Sequence, residues 1–365
     1  MSRHRQSNRT ELAAVRKRAI ERGLYFIYQT ACESKNFEAY GFDYLGCFQC
    51  IASTSRNAKL RRTAREMGRE RARLWRRQNF RVARNADAND IVCLVYGCYA
   101  ADRLGVRDEC IKSQIRQMAS KFTARDYFGF DPAEEPPPQD LPEECTCETM
   151  NDRGRKTCVK CRKRLTMASR YTVWQDALVG SFTGDCYGVR LGTSYADVIK
   201  WLPTMRPYPN FVTKDDWGFY DATYAVTHLV YTLNRYSCYR LLPRWLSAEY
   251  WFLKQNLTKA IIMGDPEIMG EFLDSLKSFG MTENHPLIRK GTNYLLATQN
   301  PDGSWGDMEA DDIYERYHPT WTAVDGLREY GWRGKRLSFP KVAPLLRSKT
   351  HSAAKAHKPG YAHMP

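Results

Sequence analysis

The chain has 365 residues, 43% hydrophobic and 13% aromatic, with a formal charge of +15 at pH 7 and a pI near 9.3. That is ample apolar material for one large domain or two ordinary ones. No run of eighteen apolar residues exists, so no membrane span is indicated, and the N-terminal MSRHRQSNRTELAAVRKR lacks the apolar stretch of a secretory signal. The expected location is therefore cytoplasmic, and the twelve cysteines are expected to be thiols or metal ligands rather than a disulfide framework.

Taken in order, residues 1–12 are polar and expected to fray, and a first helix is predicted over about 12–32. Helical pattern continues at 40–53, through the Arg-rich stretch, at 90–106 and at 109–121. Between Arg56 and Arg84 stand twelve Lys or Arg against only Glu66 and Glu70. Such a stretch is either a face that attracts polyanions or a solvated helix face, since Arg is a good helix former. The acidic, proline-rich DPAEEPPPQDLPEE over 131–144 reads as an extended linker or loop. Helices return at 170–182, 194–202, 221–234, 243–257 and 266–278, with a glycine-punctuated loop at 184–192. A helix over 287–298 ends at the turn Asn300-Pro301-Asp302-Gly303. Pro319 is read as the first residue of the next helix, running to about Tyr330 with Gly331 as its stop. Past Pro340 the chain is basic and Ala/Lys/His-rich, and a disordered tail is expected.

Three stretches rhyme. Lys290-Gly291 followed by Tyr294-Leu295 is echoed by Arg22-Gly23-Leu24-Tyr25-Phe26 and by Gly68 leading to Leu74-Trp75 and Gln78-Asn79. They read as degenerate copies of one helical hairpin, each burying a face on the next. Four parts follow: 1–130, an N-terminal helical half; 131–168, the linker and a cysteine segment; 169–340, a C-terminal helical half; and 341–365, the tail.

Lys290-Gly291, Tyr294-Leu295, Gln299, Gly303 and Trp305 match every defined position of the QW repeat of squalene and oxidosqualene cyclases, which this stretch resembles. The residues that follow, Asp312, Tyr317, His318, Gly326 and Leu327, are similar to protein prenyltransferase β subunits. Both families are α/α toroids, rings of helical hairpins around a central active-site cavity. The resemblance covers about fifty residues and implies an all-α, α/α toroid, into which a four-cysteine segment read from the residues themselves would be inserted.

Cys145, Cys147, Cys158 and Cys161 form two close pairs around a loop containing Gly154. The pattern suits a closed, tetrahedral four-thiolate site for structural Zn²⁺, or else redox-active thiols. Four thiolates and one Zn²⁺ leave −2, which the flanking Arg153, Arg155, Lys156, Lys160, Arg162, Lys163 and Arg164 would offset. A second candidate lies further on. Asp221, Tyr224 and His228 share a helical face by their offsets, and His318 and Asp325 stand seven apart on another helix. The prenyltransferase resemblance implies a zinc held by Asp221 and His318, with Thr223 where that family has its Cys and His228 as a substitute. Two His and one or two carboxylates suit Zn²⁺ or Fe²⁺. His318, just before Pro319, is expected at a helix N-terminus opening into the cavity. Tyr224, Tyr317 and Asp325 are the candidate catalytic groups.

Cyclase motifs are not met. Glu309-Ala310-Asp311-Asp312 lacks the leading Asp of Asp-x-Asp-Asp, and Asp215, Asp216 and Asp221 have the wrong spacing for Asp-Asp-x-x-Asp. Beside a partner-binding scaffold with no chemistry, two readings of function result. One is an intracellular metal-dependent enzyme acting on a small molecule or peptide in the cavity, by transferase or cyclase chemistry or by metal-assisted oxidation. The other is a zinc-containing protein that binds nucleic acid or another polyanion through the face between Arg56 and Arg84.

Overall fold

A computed structural model of the protein describes residues 2–213 and 216–346, with side chains from residue 11 onward. The described residues are helical with no strand, only isolated bridges. None of their helices is long and apolar enough to cross a membrane. In the first half the helices are α1 (Ser2–Cys32), α2 (Ser34–Thr54), α3 (Ala58–Gln78), α4 (Ala88–Leu104), α5 (Glu109–Ala119) and α6 (Ala124–Phe128). The second half holds α7 (Arg170–Tyr187), α8 (Tyr195–Ile199), α9 (Leu202–Met205), α10 (Trp217–Asn234), α11 (Ser247–Met263), α12 (Pro266–Ser278), α13 (Pro286–Ala297), α14 (Tyr314–Leu327) and α15 (Ala343–Leu346).

Local chemistry sets these bounds. Asn57 accepts from the backbone N–H groups of Lys59 and Leu60 at the start of α3. Asp87 and Asp90 form a reciprocal capping box at α4, and Asp265 with Pro266 opens α12. Gly105 closes α4 in the left-handed region at φ 90°.

Helix α2 packs on α4, α4 on α7, α7 on α10, α10 on α12, α12 on α14, and α14 back on α2. The others lie against this succession: α1 on α14 and α2, α3 on α2 and α4, α13 on α12. The three rhyming glycines explain themselves here, because each presses a helix backbone onto a neighbour. A Cβ on Gly23 would lie 2.8 Å from Val324, one on Gly68 2.7 Å from Phe48, and one on Gly291 2.7 Å from Met269. One hydrophobic core runs through both halves of the chain, and a small second cluster holds Cys145, Cys158 and Leu165.

Several expectations need correction. Helix α1 begins at Ser2, ahead of the expected start near residue 12. The last long helix begins at Tyr314 and ends at Leu327, so Pro319 and His318 stand inside it. Asp312 Oδ1 accepts the Tyr314 N–H at 2.8 Å and sets the earlier start. Pro319 is the sixth residue of this helix, so the N–H it lacks leaves the Glu315 carbonyl without its i→i−4 bond. Residues 184–187 of the expected loop complete α7. The stretch 131–144 is no free linker: Trp201 donates to the Pro132 carbonyl at 2.8 Å and Lys200 to that of Ala133 at 2.6 Å. Of the expected tail, residues 341–346 fold back, with Val342 and Leu346 buried; the remainder lies outside the described residues.

Candidate functional site

The four cysteines come together. Cys145 Sγ lies 3.4 Å from Cys161 Sγ, and Cys147 Sγ 3.6 Å from Cys158 Sγ. All four sulfurs lie within 4.8 Å of one another. A tetrahedron of Zn–S bonds has S···S edges of about 3.8 Å, so the cluster is compatible with a structural metal site. The N–H of Cys161 holds the Cys158 thiol down at about 6, which readies it as a thiolate ligand. Bridges between Pro142 and Met167 and between Thr157 and Arg164 fold the segment on itself. Little apolar burial supports it beyond Leu165 and Met167. A bound metal would thus supply much of its folding free energy. Cys158→Ser should reduce bound metal from about one per chain to nearly none. Metal analysis by mass spectrometry checks this, and hydrogen exchange should show residues 140–168 losing protection while α2 and α12 keep theirs.

The second gathering of chemistry lies among α2, α4, α7, α10, α12 and α14. Two adjoining pockets of about 50 and 170 Å³ share Cys50, His228, Tyr236, His318 and Trp321 as walls. His318 Nδ1 lies 3.1 Å from Glu267 Oε1, and its ring stacks on Tyr314 with centroids 4.7 Å apart. Burial works against charge on this ring. The charge and hydrogen bond of Glu267, helped by Asp43 and, where it ionises, by Glu271, outweigh burial and hold His318 up at about 9. Glu267 is buried too, yet His318 and the Tyr224 hydroxyl, which donates to Oε1 at 2.9 Å, keep it below the ordinary carboxyl value. Glu271 accepts from Thr227, and burial with the neighbouring Glu267 charge pushes it up to about 8.

His228 is the opposite case. Burial pushes it down to about 4, so it is neutral at pH 7. Its Nδ1 lies 2.9 Å from the Tyr224 carbonyl oxygen and must carry the proton, which leaves Nε2 as an acceptor. The cavity walls thus include a cationic and a neutral imidazole and a protonated carboxylic acid, with the Glu267 carboxylate beside His318. That is a donor and an acceptor set for proton transfer.

The other sequence candidates fall around it. Tyr317 is fully buried, and its hydroxyl donates to Asp43 at 2.9 Å. Asp325 lines the smaller pocket but is held by Arg328 at 2.6 Å and by Trp321 at 3.1 Å. The hydroxyl of Tyr224 is spent on Glu267. Asp221 is not with His228 and His318. Its carboxyl faces Ser169 and Thr172 at the start of α7, and Glu143 beside the cysteine segment. The physical reason is the helix rise: an offset of seven returns to the same face but moves about 10.5 Å along the axis. Among the described residues, the only group of three or more His, Cys, Asp or Glu with ligand atoms within 4.8 Å of one another is the four cysteines. The set Asp221, His228 and His318 is therefore not gathered as the ligands of a second Zn²⁺ or Fe²⁺.

Sequence reasoning missed Asp43, Glu267 and Glu271. A signal existed for the latter two. Glu267, Glu271 and Asp274 recur at offsets of four and seven along α12, on a helix buried nearly all round. Acids on such a helix face an interior and need a reason to be there.

The basic stretch is partly spent inside the protein. Arg61 donates to the Ser55 carbonyl at 2.9 Å, Arg69 to that of Leu104 at 2.8 Å, and Arg71 to that of Ala31 at 3.3 Å. These carbonyls end α2, α4 and α1, where cations and donors are favoured. Buried Arg76 pairs with Asp102 at 2.6 Å. No known protein family, curated protein or solved structure matches the chain.

Proposed function

We propose that the chain is an enzyme built as an α/α toroid, with its active site in the cavity that His228 and His318 share. The carrying observation is the split in proton affinity between these two imidazoles, about 4 against about 9. Perturbed groups that face one cavity are the usual mark of acid–base chemistry. In this reading His318 donates a proton, with Glu267 orienting it and sustaining its charge. His228 Nε2 receives a proton or a hydrogen bond from the substrate. Glu271, protonated at pH 7, is a second donor.

The toroid is supported by the succession of helix contacts that returns to its start and by the QW-type repeat. The walls Tyr96, Tyr236 and Trp321 favour an organic substrate with apolar surface. The cyclase or transferase class comes from the resemblance alone. The four-cysteine segment holds Zn²⁺ in a structural role, apart from the reaction.

The test works with a substrate of any identity. Purified protein is incubated with a cell metabolite extract, and mass changes are compared with His318→Gln and Glu267→Gln. The expected result is a depleted compound and a new product with wild type, slowed at least about a hundredfold in both variants. Equal conversion by His318→Gln, or no conversion by the wild type in any extract, overturns the proposal.

A further inference from the structure

A second concavity, of about 540 Å³, opens where α2, α4, α7 and α10 end. It shares Tyr99 with the central cavity but is otherwise lined differently. Six cations face it: Arg65, Arg103, Arg107, Lys112, Arg235 and Arg333. Two acids face it as well, Asp102 and Glu109, and Asp102 is already held by Arg76 at 2.6 Å. Among the described residues none of the six cations forms an ion pair. Arg103 has a buried Nε with no hydrogen-bond partner, and its guanidinium lies 5.6 Å from the Tyr99 ring. Lys112 Nζ lies 4.7 Å from the Tyr187 ring, a contact with an aromatic face rather than an anion.

Helix ends explain part of this. Arg103 stands in the last turn of α4 and Arg235 caps α10, where a cation offsets the helix dipole. They do not explain Lys112, the fourth residue of α5, at the end where a cation is disfavoured. Nor do they explain Arg107 and Arg333, which lie outside any helix. Six cations around one hollow repel one another, and the buried Arg103 Nε is costly to leave without an acceptor. A multiply charged anion with several acceptor oxygens would resolve both.

We infer that this bowl is a binding site for a small oligophosphate-bearing anion. The guanidinium groups of Arg103, Arg107, Arg235 and Arg333 and the ammonium of Lys112 surround the phosphate oxygens. The site is distinct from the outer face of α3, where Arg62 and Arg73 point to solvent. It does not depend on the chemistry of the central cavity.

The test is calorimetric titration of the full chain with sodium tripolyphosphate in low-salt buffer. Binding is expected at one site per chain, weakening as salt rises. Arg103→Gln/Arg235→Gln should weaken it by about tenfold or more, two lost charge-assisted contacts being worth at least that much. Because those residues also serve helix ends, the exposed pair Arg107→Gln/Arg333→Gln is measured beside them and should weaken binding without altering the circular dichroism spectrum. Arg62→Gln/Arg73→Gln should bind as wild type does. Absence of heat at millimolar tripolyphosphate overturns the inference. So does unchanged binding in both bowl variants, or equal loss in the α3 variant. A single-stranded RNA that binds and is not displaced by tripolyphosphate would also overturn it.

Discussion

Gly270→Ala should destabilise the protein by about 3 kcal/mol or more, the upper range of overpacking penalties. A Cβ at Gly270 would stand 2.3 Å from the Thr322 carbonyl oxygen and 2.4 Å from its carbon. Both are backbone atoms, so no side chain can turn aside. Gly326 repeats the constraint from the other side, since its Cβ would lie 2.9 Å from the Gly270 Cα. The α12–α14 crossing is thus a contact of two backbones, and an added methyl must drive the helices apart. They carry Glu267 and His318 respectively, so the ion pair would loosen with them. Thermal unfolding should show a drop of at least about 4 °C. Gly280→Ala makes a useful contrast. It meets nothing within 4 Å but sits at φ 94°, so its cost is backbone strain alone, and α12–α14 packing stays intact.

Glu267→Gln should move His318 from about 9 to below its ordinary 6.5. His228 serves as the reference, because the same burial without a bonded carboxylate leaves it at about 4. Histidine ring signals followed by NMR against pH check this directly. The change has a stability counterpart whose sign is fixed by linkage. His318 is raised, so its contribution is full below the unfolded value near 6.5 and is lost as pH rises through about 9. Glu271 is a raised carboxyl, so it also makes the fold less stable as pH climbs from 4.5 to about 8. His228 acts oppositely, withdrawing stability as pH falls from 6.5 toward 4. The wild type should therefore melt higher at pH 6 than at pH 9, and Glu267→Gln should flatten that difference.

Much of the helix plan was legible in the residues. The bounds of α12 follow from Asp265-Pro266, and the turn after α13 from Asn300 to Gly303. The cysteine cluster was legible because thiolate spacing maps onto one tetrahedron with little help from the rest of the fold. The cavity chemistry was less so. His228 and His318 were found, but their partners Asp43 and Glu267 come from other helices, and partners across a fold have no spacing to read. Asp221 failed as a ligand because angular periodicity was counted without the rise along the axis. The arginines of α3 were read as a surface charge, whereas several reach back to carbonyls that only the packing of α1, α2 and α4 brings near.

The seam between α1 and α14 has a consequence for how the chain is made. Gln299 Nε2 donates to the Ala19 carbonyl across 280 residues of sequence, and Arg22 donates to the Asn300 carbonyl at 3.0 Å. Trp305 and Val324 fill the space that Gly23 leaves open. At translation rates of about 5–20 residues per second, α1 waits roughly 14–56 seconds on the ribosome before its partners exist. Through that interval its Gly23 face and the core faces of α2 have no cover from α14. Contacts so distant in sequence also close slowly once synthesis ends. The growing chain is thus most exposed to aggregation through its N-terminal helices, and holdase chaperones would engage there first.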